Sequence, residues 1–355
     1  MTGATHGVMT RPETRPVPGP TLKMATNSSD EASAPAIKPA SPPVTDPHVG
    51  YLLHLADNAL VLGQRNAEWC GHGPVLEEDI AMANISVDLI GQARMLYQHA
   101  AVLKSDGATE DTLAYFRDAP DFRNFTLLEL PHSVPNSPSE GVPKSGRESD
   151  LDSDIGRDYA VTIVRNFFYS ALMVLRWEAL RQSTDAQLAA IAERAVKETR
   201  YHLRHSRDWL VRLGDGTPES HAKTQAAWNH LLPFSCEFWT DFAIENELVT
   251  HGIGVKTASL QDEWHRQVTL AAQEATLTRA LGISAPTNAP IRAQIRSPVR
   301  AQIRSPIRAL FQMSDFPAAL PAESPQGKHG NHSPYLASLL AEMQSLARQH
   351  PGVTW

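Results

Sequence analysis

The chain has 355 residues, a formal net charge of −7 and 42% apolar residues, enough for a sizeable core and incompatible with wholesale disorder. Two cysteines, Cys70 and Cys236, exclude a disulfide framework and an all-cysteine zinc site, and the negative charge argues against a nucleic-acid partner. No apolar run approaches the ~20 residues of a membrane helix and the start lacks a secretory pattern, so the expectation is a soluble cytoplasmic protein without a membrane partner.

Residues 1–47 hold nine of the 26 prolines and no periodic apolar pattern. They read as a disordered tail ahead of one helical domain, residues 48–355. From Tyr51 to Glu68, Leu52, Leu55, Ala59 and Leu62 recur at three- and four-residue spacing, the period of a helix. Gly71, Gly73 and Pro74 break the chain. A second helix over 76–104 opens on Glu77, Glu78 and Asp79, which suit the positive end of a helix dipole. It carries Ile80, Ala83, Val87 and Ile90 on one face. A long connection, about 105–157, follows. Its stretch near 133–153 reads as a loop insertion containing Pro135, Pro138 and Pro143.

A third helix is expected from Asp158 to about Gln182, with Ile163, Phe167, Ala171 and Val174 inward. Asp185 is placed to cap a fourth, ending near Gly214 and Gly216. Further helical segments are expected near 219–250, 260–281 and 333–349. Between them, near 286–313, lies a second insertion containing an eight-residue tandem repeat. Pro290 to Ser297 is repeated as Pro298 to Ser305, with arginines at 292, 296, 300, 304 and 308. A proline every eighth residue prevents a continuous helix there, so the repeat reads as a duplicated surface loop or as a basic patch for an acidic partner. Two helical hairpins joined by a long crossover is the connectivity of a ferritin-like four-helix bundle with additional C-terminal helices. An ordinary helical bundle would share that pattern.

Such a bundle raises the question of a dinuclear metal site, which needs one Glu from each of two helices and a Glu-x-x-His pair from each of the others. Residues three apart share a helical face, so carboxylate and imidazole can reach one metal. The chain fails this rule. Glu129-Leu-Pro-His132 carries an internal proline, and Asp262-Glu-Trp-His265 has no matching copy. Asp88 is followed at that spacing by Gly91, and Glu198 by Tyr201 with His202 one position on. Glu68, Asp88, Glu198 and His202 remain as a degenerate polar core: an altered metal site, or polar groups paired with one another and with Arg94, Arg200 or Arg204. Cys70 beside His72 is weak evidence for a nucleophile, and Trp69, Trp177, Trp209, Trp228 and Trp239 suit core or interface anchors.

Several runs carry a resemblance. They are Leu55 to Arg65, Glu68-Trp-Cys-Gly-His72, Asp88 to Arg94, Glu110 to Asp118, Lys197 to Arg204, Ser206 to Thr217, and Leu340 to Gln344 with the terminal Trp355. Together the chain resembles the C subunits of bacterial ring 1,2-phenylacetyl-CoA epoxidases, over about residues 49–283 and 330–355. The resemblance implies a ferritin-like fold and a structural, non-catalytic role in phenylacetate degradation. It also implies a homologous catalytic subunit that carries the di-iron centre, a reductase that delivers electrons from NADPH, and no catalytic residue, metal or cofactor in this chain. An independent di-metal oxidase with unusual ligands, and a helical interaction protein unrelated to oxygenases, are the alternatives.

Overall fold

The computed structural model describes residues 46–135, 157–278, 310–321 and 323–353. The tail up to residue 45, the loop stretch 136–153 and the arginine repeat lie outside the described residues.

The first helix, α1 (Pro47–Ala67), starts four residues before Tyr51. Asp46 caps it by accepting the His48 backbone N–H at 2.8 Å, and Pro47 takes the first-turn position where its missing N–H costs nothing. The last residues assigned to the tail therefore belong to the domain. α2 (Leu76–Lys104) runs back along α1 after the Gly71–Pro74 turn. The crossover is not a bare loop. It carries α3 (Glu110–Tyr115) and α4 (Thr126–Glu129), and between them Phe122 and Phe125 are fully buried. α5 (Tyr159–Leu180) and α6 (Ala186–Gly214) form the second hairpin. Asp158 caps α5 through the Ala160 N–H at 2.9 Å. Asp185 caps α6 through the Gln187 and Leu188 N–H groups at 2.9 and 3.1 Å, as the sequence suggests.

These four long helices form the bundle. α1 packs on α2, α5 packs on α6, and α2 meets α6 along a seam. Leu52, Leu55, Ala59, Leu62, Ile163, Phe167 and Ala171 are all buried, while Val174 is half-buried. The expected segment 219–250 is divided into α7 (Pro218–Leu231), a 3-10 stretch Leu232–Trp239 and α8 (Ala243–Thr250). Pro233 has no N–H for the α-helical ladder, and the chain passes into 3-10 geometry from Leu232, so α7 ends there. α9 (Gln261–Glu274) also ends before residue 281. Thr276 takes φ 55°, and its hydroxyl donates to the Gly214 carbonyl at 3.1 Å. Position 214 must be glycine for this approach, because a Cβ there would lie 2.3 Å from the Ala275 carbonyl oxygen.

Beyond that turn, Thr278 pairs with Leu310 in an isolated antiparallel bridge, and Phe311 is buried with its N–H on the Leu277 carbonyl at 3.0 Å. The end of the second predicted insertion is thus anchored in the core. α10 (Pro334–Gln349) packs on α3 and α4, with Gln344 donating to the Ala114 and Arg117 carbonyls at 3.1 and 3.0 Å. Among the described residues there is no strand beyond isolated bridges, and no helix is long and apolar enough to cross a membrane.

Candidate functional site

The interior of the bundle is where a dinuclear centre would sit, and there several neutral polar groups are paired with one another or with the backbone. Asn66 on α1 and Asn166 on α5 form a reciprocal amide pair, each Nδ2 donating to the other's Oδ1 at 2.9 Å. Ser86, Thr199 and Ser206 turn their hydroxyls back onto the carbonyls of Met82, Ala195 and His202, each at 2.8 Å. Neutral amides and back-bonded hydroxyls supply no anionic ligands. This donor set does not fit a pair of iron ions, which want carboxylate with imidazole.

The four sequence-derived candidates do not converge. Asp88 and His202 pair across the α2/α6 seam, Oδ2 to Nε2 at 3.0 Å. Glu198 lies one turn along, accepting from Gln92 at 3.0 Å and from Arg194 at 3.1 Å. Glu68 is elsewhere, at the C-terminal end of α1, where it accepts from Arg65 at 2.9 Å and lies 3.1 Å from His132 Nε2. The arginines expected as partners are engaged with other groups: Arg94 with Glu110, Arg200 with Glu178, and Arg204 over the Tyr201 ring.

Glu68 and His132 form the most structured of these contacts. Burial pushes the His132 imidazole down to about 4 in spite of its carboxylate neighbour, so the ring is neutral at pH 7. The Trp69 indole N–H lies 3.2 Å from Nδ1 and the Thr162 hydroxyl 2.7 Å from it, which leaves Nε2–H to donate to the Arg65 carbonyl at 3.0 Å and to Glu68. Burial works to raise the Glu68 carboxyl, but hydrogen bonds from His132 and Arg65 outweigh it and hold the group below its ordinary range.

The remaining motifs are also dispersed. Glu129 is the last residue of α4 and points away from His132: it accepts from the Ser333 N–H at 2.8 Å and contacts His332 Nδ1 at 2.5 Å. His265 stacks on Phe316 with ring centroids 3.8 Å apart. Cys70 and His72 are both exposed on the turn after α1. Trp177 and Trp228 are fully buried, Trp69 nearly so, and Trp209 and Trp239 half-buried. A groove of about 1170 Å³ is lined by Trp69, Tyr159, Trp209, Arg157 and Lys223 among others, but by none of the four candidates.

Sequence reading missed several buried ionic clusters. Asp57 on α1 accepts from the Tyr97 hydroxyl at 2.6 Å, from the Arg123 N–H at 2.8 Å and from Arg117. Arg176 on α5 pairs with Glu245 on α8 at 2.8 Å, and Thr257 donates to the same carboxylate at 2.6 Å. Glu237, buried beside Glu129, accepts from the Thr126 and Lys328 N–H groups at 2.7 and 2.8 Å, and burial lifts its carboxyl to about 7. These partners come from distant parts of the chain, so no local spacing announces them.

The remaining feature is a surface. Leu76, Ile80, Val87 and Ile90 on α2 are 70%, 51%, 68% and 38% exposed, and with Ala83 they fall on one helical face. This is the apolar face read from the sequence, and it points away from the bundle. The side that fills the core is Met82, Ile85, Leu89, Ala93 and Leu96. α2 is therefore apolar on both sides.

Comparison with known proteins places the chain. The model of the phenylacetic acid catabolic protein family matches residues 33–288. The chain belongs to this family. The phenylacetic acid catabolic proteins have a ferritin-like helical fold, in agreement with the two hairpins and crossover seen here. Among the chain's relatives is the C subunit of the 1,2-phenylacetyl-CoA epoxidase of Escherichia coli strain K12, 38% identical over 305 residues. That alignment takes in 86% of this chain and 98% of the relative.

Proposed function

We propose that this chain is a non-catalytic, structural subunit of a phenylacetyl-CoA epoxidase complex in the cytoplasm. It supports a homologous di-iron catalytic subunit that epoxidises the ring of phenylacetyl-CoA during phenylacetate degradation, alongside further subunits including an NADPH-dependent reductase. The dinuclear centre belongs to the partner, and this chain supplies no catalytic residue. The likeness to a named epoxidase subunit over nearly the whole of that subunit supports membership. The observation that carries the structural role is the outward apolar face of α2. An isolated monomer gains little from leaving four partly exposed aliphatic side chains on one stripe, whereas covering their remaining apolar area with a partner is worth about 25 cal/mol per Å².

Co-expression with the catalytic subunit tests this reading. Ile80→Arg and Val87→Arg should leave the thermal unfolding of the isolated chain unchanged, because both side chains already face water. Each should abolish co-elution with the catalytic subunit on size-exclusion chromatography and lower phenylacetyl-CoA turnover. Iron should follow the catalytic subunit into its fractions. Full co-elution of both variants, or undiminished turnover by the catalytic subunit alone, overturns the reading. Two irons per copy of this chain, lost on Glu198→Ala, would favour an independent di-metal oxidase instead.

A further inference from the structure

At one end of the bundle three helix termini bring two imidazoles and a carboxylate together. His48 lies in the first turn of α1, His99 near the end of α2, and Asp185 is the N-cap of α6. His48 Nε2 and His99 Nε2 approach the same oxygen, Asp185 Oδ2, at 2.8 and 2.6 Å. The rings stand edge to face with centroids 5.9 Å apart, so their nitrogens converge on one point rather than lying side by side. We infer that His48, His99 and Asp185 form a mononuclear site for a divalent transition-metal ion of the zinc class, clamping α1, α2 and α6 together.

The geometry supports this in four ways. First, the three candidate ligand atoms all lie within 4.8 Å of one another. Ligands at about 2.1 Å around a tetrahedral ion are about 3.4 Å apart, so the two hydrogen-bonded contacts need open by less than an ångström. Second, the carboxylate is already oriented. Its Oδ1 accepts the Gln187 and Leu188 N–H groups, which leaves Oδ2 as the ligand atom, held by an outer layer of hydrogen bonds such as metal ligands commonly have. Third, the donor chemistry is selective: two imidazoles with one carboxylate and an open position suit zinc and its late-transition neighbours, ferrous iron included, whereas calcium and magnesium prefer an all-oxygen shell. Fourth, the site is reachable and has room for water as a fourth ligand, because the His48 side chain keeps 21% of its exposure while His99 and Asp185 keep 10% and 8%.

Charge points the same way. Among the described residues the ion-pair partners of Asp185 are the two histidines, with no lysine or arginine in that role. A divalent ion would compensate the carboxylate while the imidazoles bind in their neutral form. Because the ligands join three helix ends, the role of the ion is structural. The site is distinct from the dinuclear centre considered above and does not rest on the subunit reading, since it lies at the bundle end and uses none of Glu68, Asp88, Glu198 or His202.

The test uses the full-length chain with any affinity tag removed. Zinc and cobalt(II) chloride are titrated by calorimetry, and cobalt binding is followed by its visible absorption. One ion per chain is expected, with the intense visible bands of a low-coordinate cobalt site and a rise in thermal unfolding temperature on adding zinc. His48→Gln and His99→Gln should each weaken binding at least about tenfold, while His72→Gln, on the exposed turn, should not. Should His99→Gln disturb folding, His48→Gln decides alone, since position 48 is partly exposed and its backbone cap does not use the ring. The inference is overturned if the wild-type chain shows no saturable one-to-one binding, or if His48→Gln binds zinc as tightly as the wild type.

Discussion

The two sides of α2 are built from the same residue types and meet opposite fates. Inward, Met82, Ile85, Leu89 and Leu96 are buried, and Glu78, Asp88 and Gln92 are tied to α6 through His205, His202 and Glu198. Outward, Leu76, Ile80, Val87 and Ile90 face water. What separates them is the presence of a neighbouring helix, not hydrophobicity. The inner side is spent on folding this chain. The outer side adds little to the monomer beyond the contact of Ile90 with Gly63 on α1, which fits the assembly role proposed above.

Truncation should break the symmetry of composition most sharply. Leu89→Ala should lower the unfolding free energy by about 2–5 kcal/mol, whereas Ile80→Ala should stay within about 0.5 kcal/mol. Equal shifts in urea midpoint would mean that the outer side is already covered in the isolated chain.

Acid should attack only from the inside. His132 is held at about 4 against its ordinary 6.5, so below 6.5 the unfolded chain binds more protons than the native one. The stability this provides is complete above 6.5 and is lost as pH falls toward 4. The gap is worth about 3 kcal/mol at most. Glu68, whose carboxyl is depressed, has the same sign and loses its contribution at still lower pH. Glu237, lifted to about 7, acts oppositely, its contribution falling as pH rises toward that value. The readout is therefore the difference between wild type and His132→Gln: the variant should lose less stability between about pH 7 and pH 4. Ile80→Arg should leave the profile as in the wild type.

The smallest effect belongs to Glu198, a partly exposed acid whose Arg194 partner is largely in water. Glu198→Gln should change stability by less than about 1 kcal/mol and leave iron content unaltered. A loss of bound iron would return the seam to the di-metal alternative.

The long helices were legible because period and caps agree. Asp158 and Asp185 stand where the sequence puts them, and Leu52, Leu55, Ala59 and Leu62 go inside. Breaks set by single residues were not. Pro233 divides one expected segment, and the close approach at Gly214 accompanies the early end of α9. The one literal Glu-x-x-His, Glu129 to His132, is split by its proline: Glu129 bonds Ser333 and His332, while His132 turns to Glu68. Which way the 80/83/87/90 face of α2 points was not, because a helix with two apolar sides has no single amphipathic direction. The crossover was least legible: Phe122 and Phe125 are core residues with no periodic neighbours to signal it. Nor could spacing bring His48, His99 and Asp185 together, since each sits on a different helix end.

The bridge between Thr278 and Leu310 has a consequence for how this chain tolerates change. It fastens both ends of the intervening stretch side by side, with Leu277 and Phe311 locked into the interior next to it. Closing a longer excursion between two fixed points costs only about 0.6 kcal/mol per doubling of its length. An octapeptide could thus be copied in tandem there at little thermodynamic penalty, and the same position offers itself for grafting a reporter or an epitope without disturbing the helices.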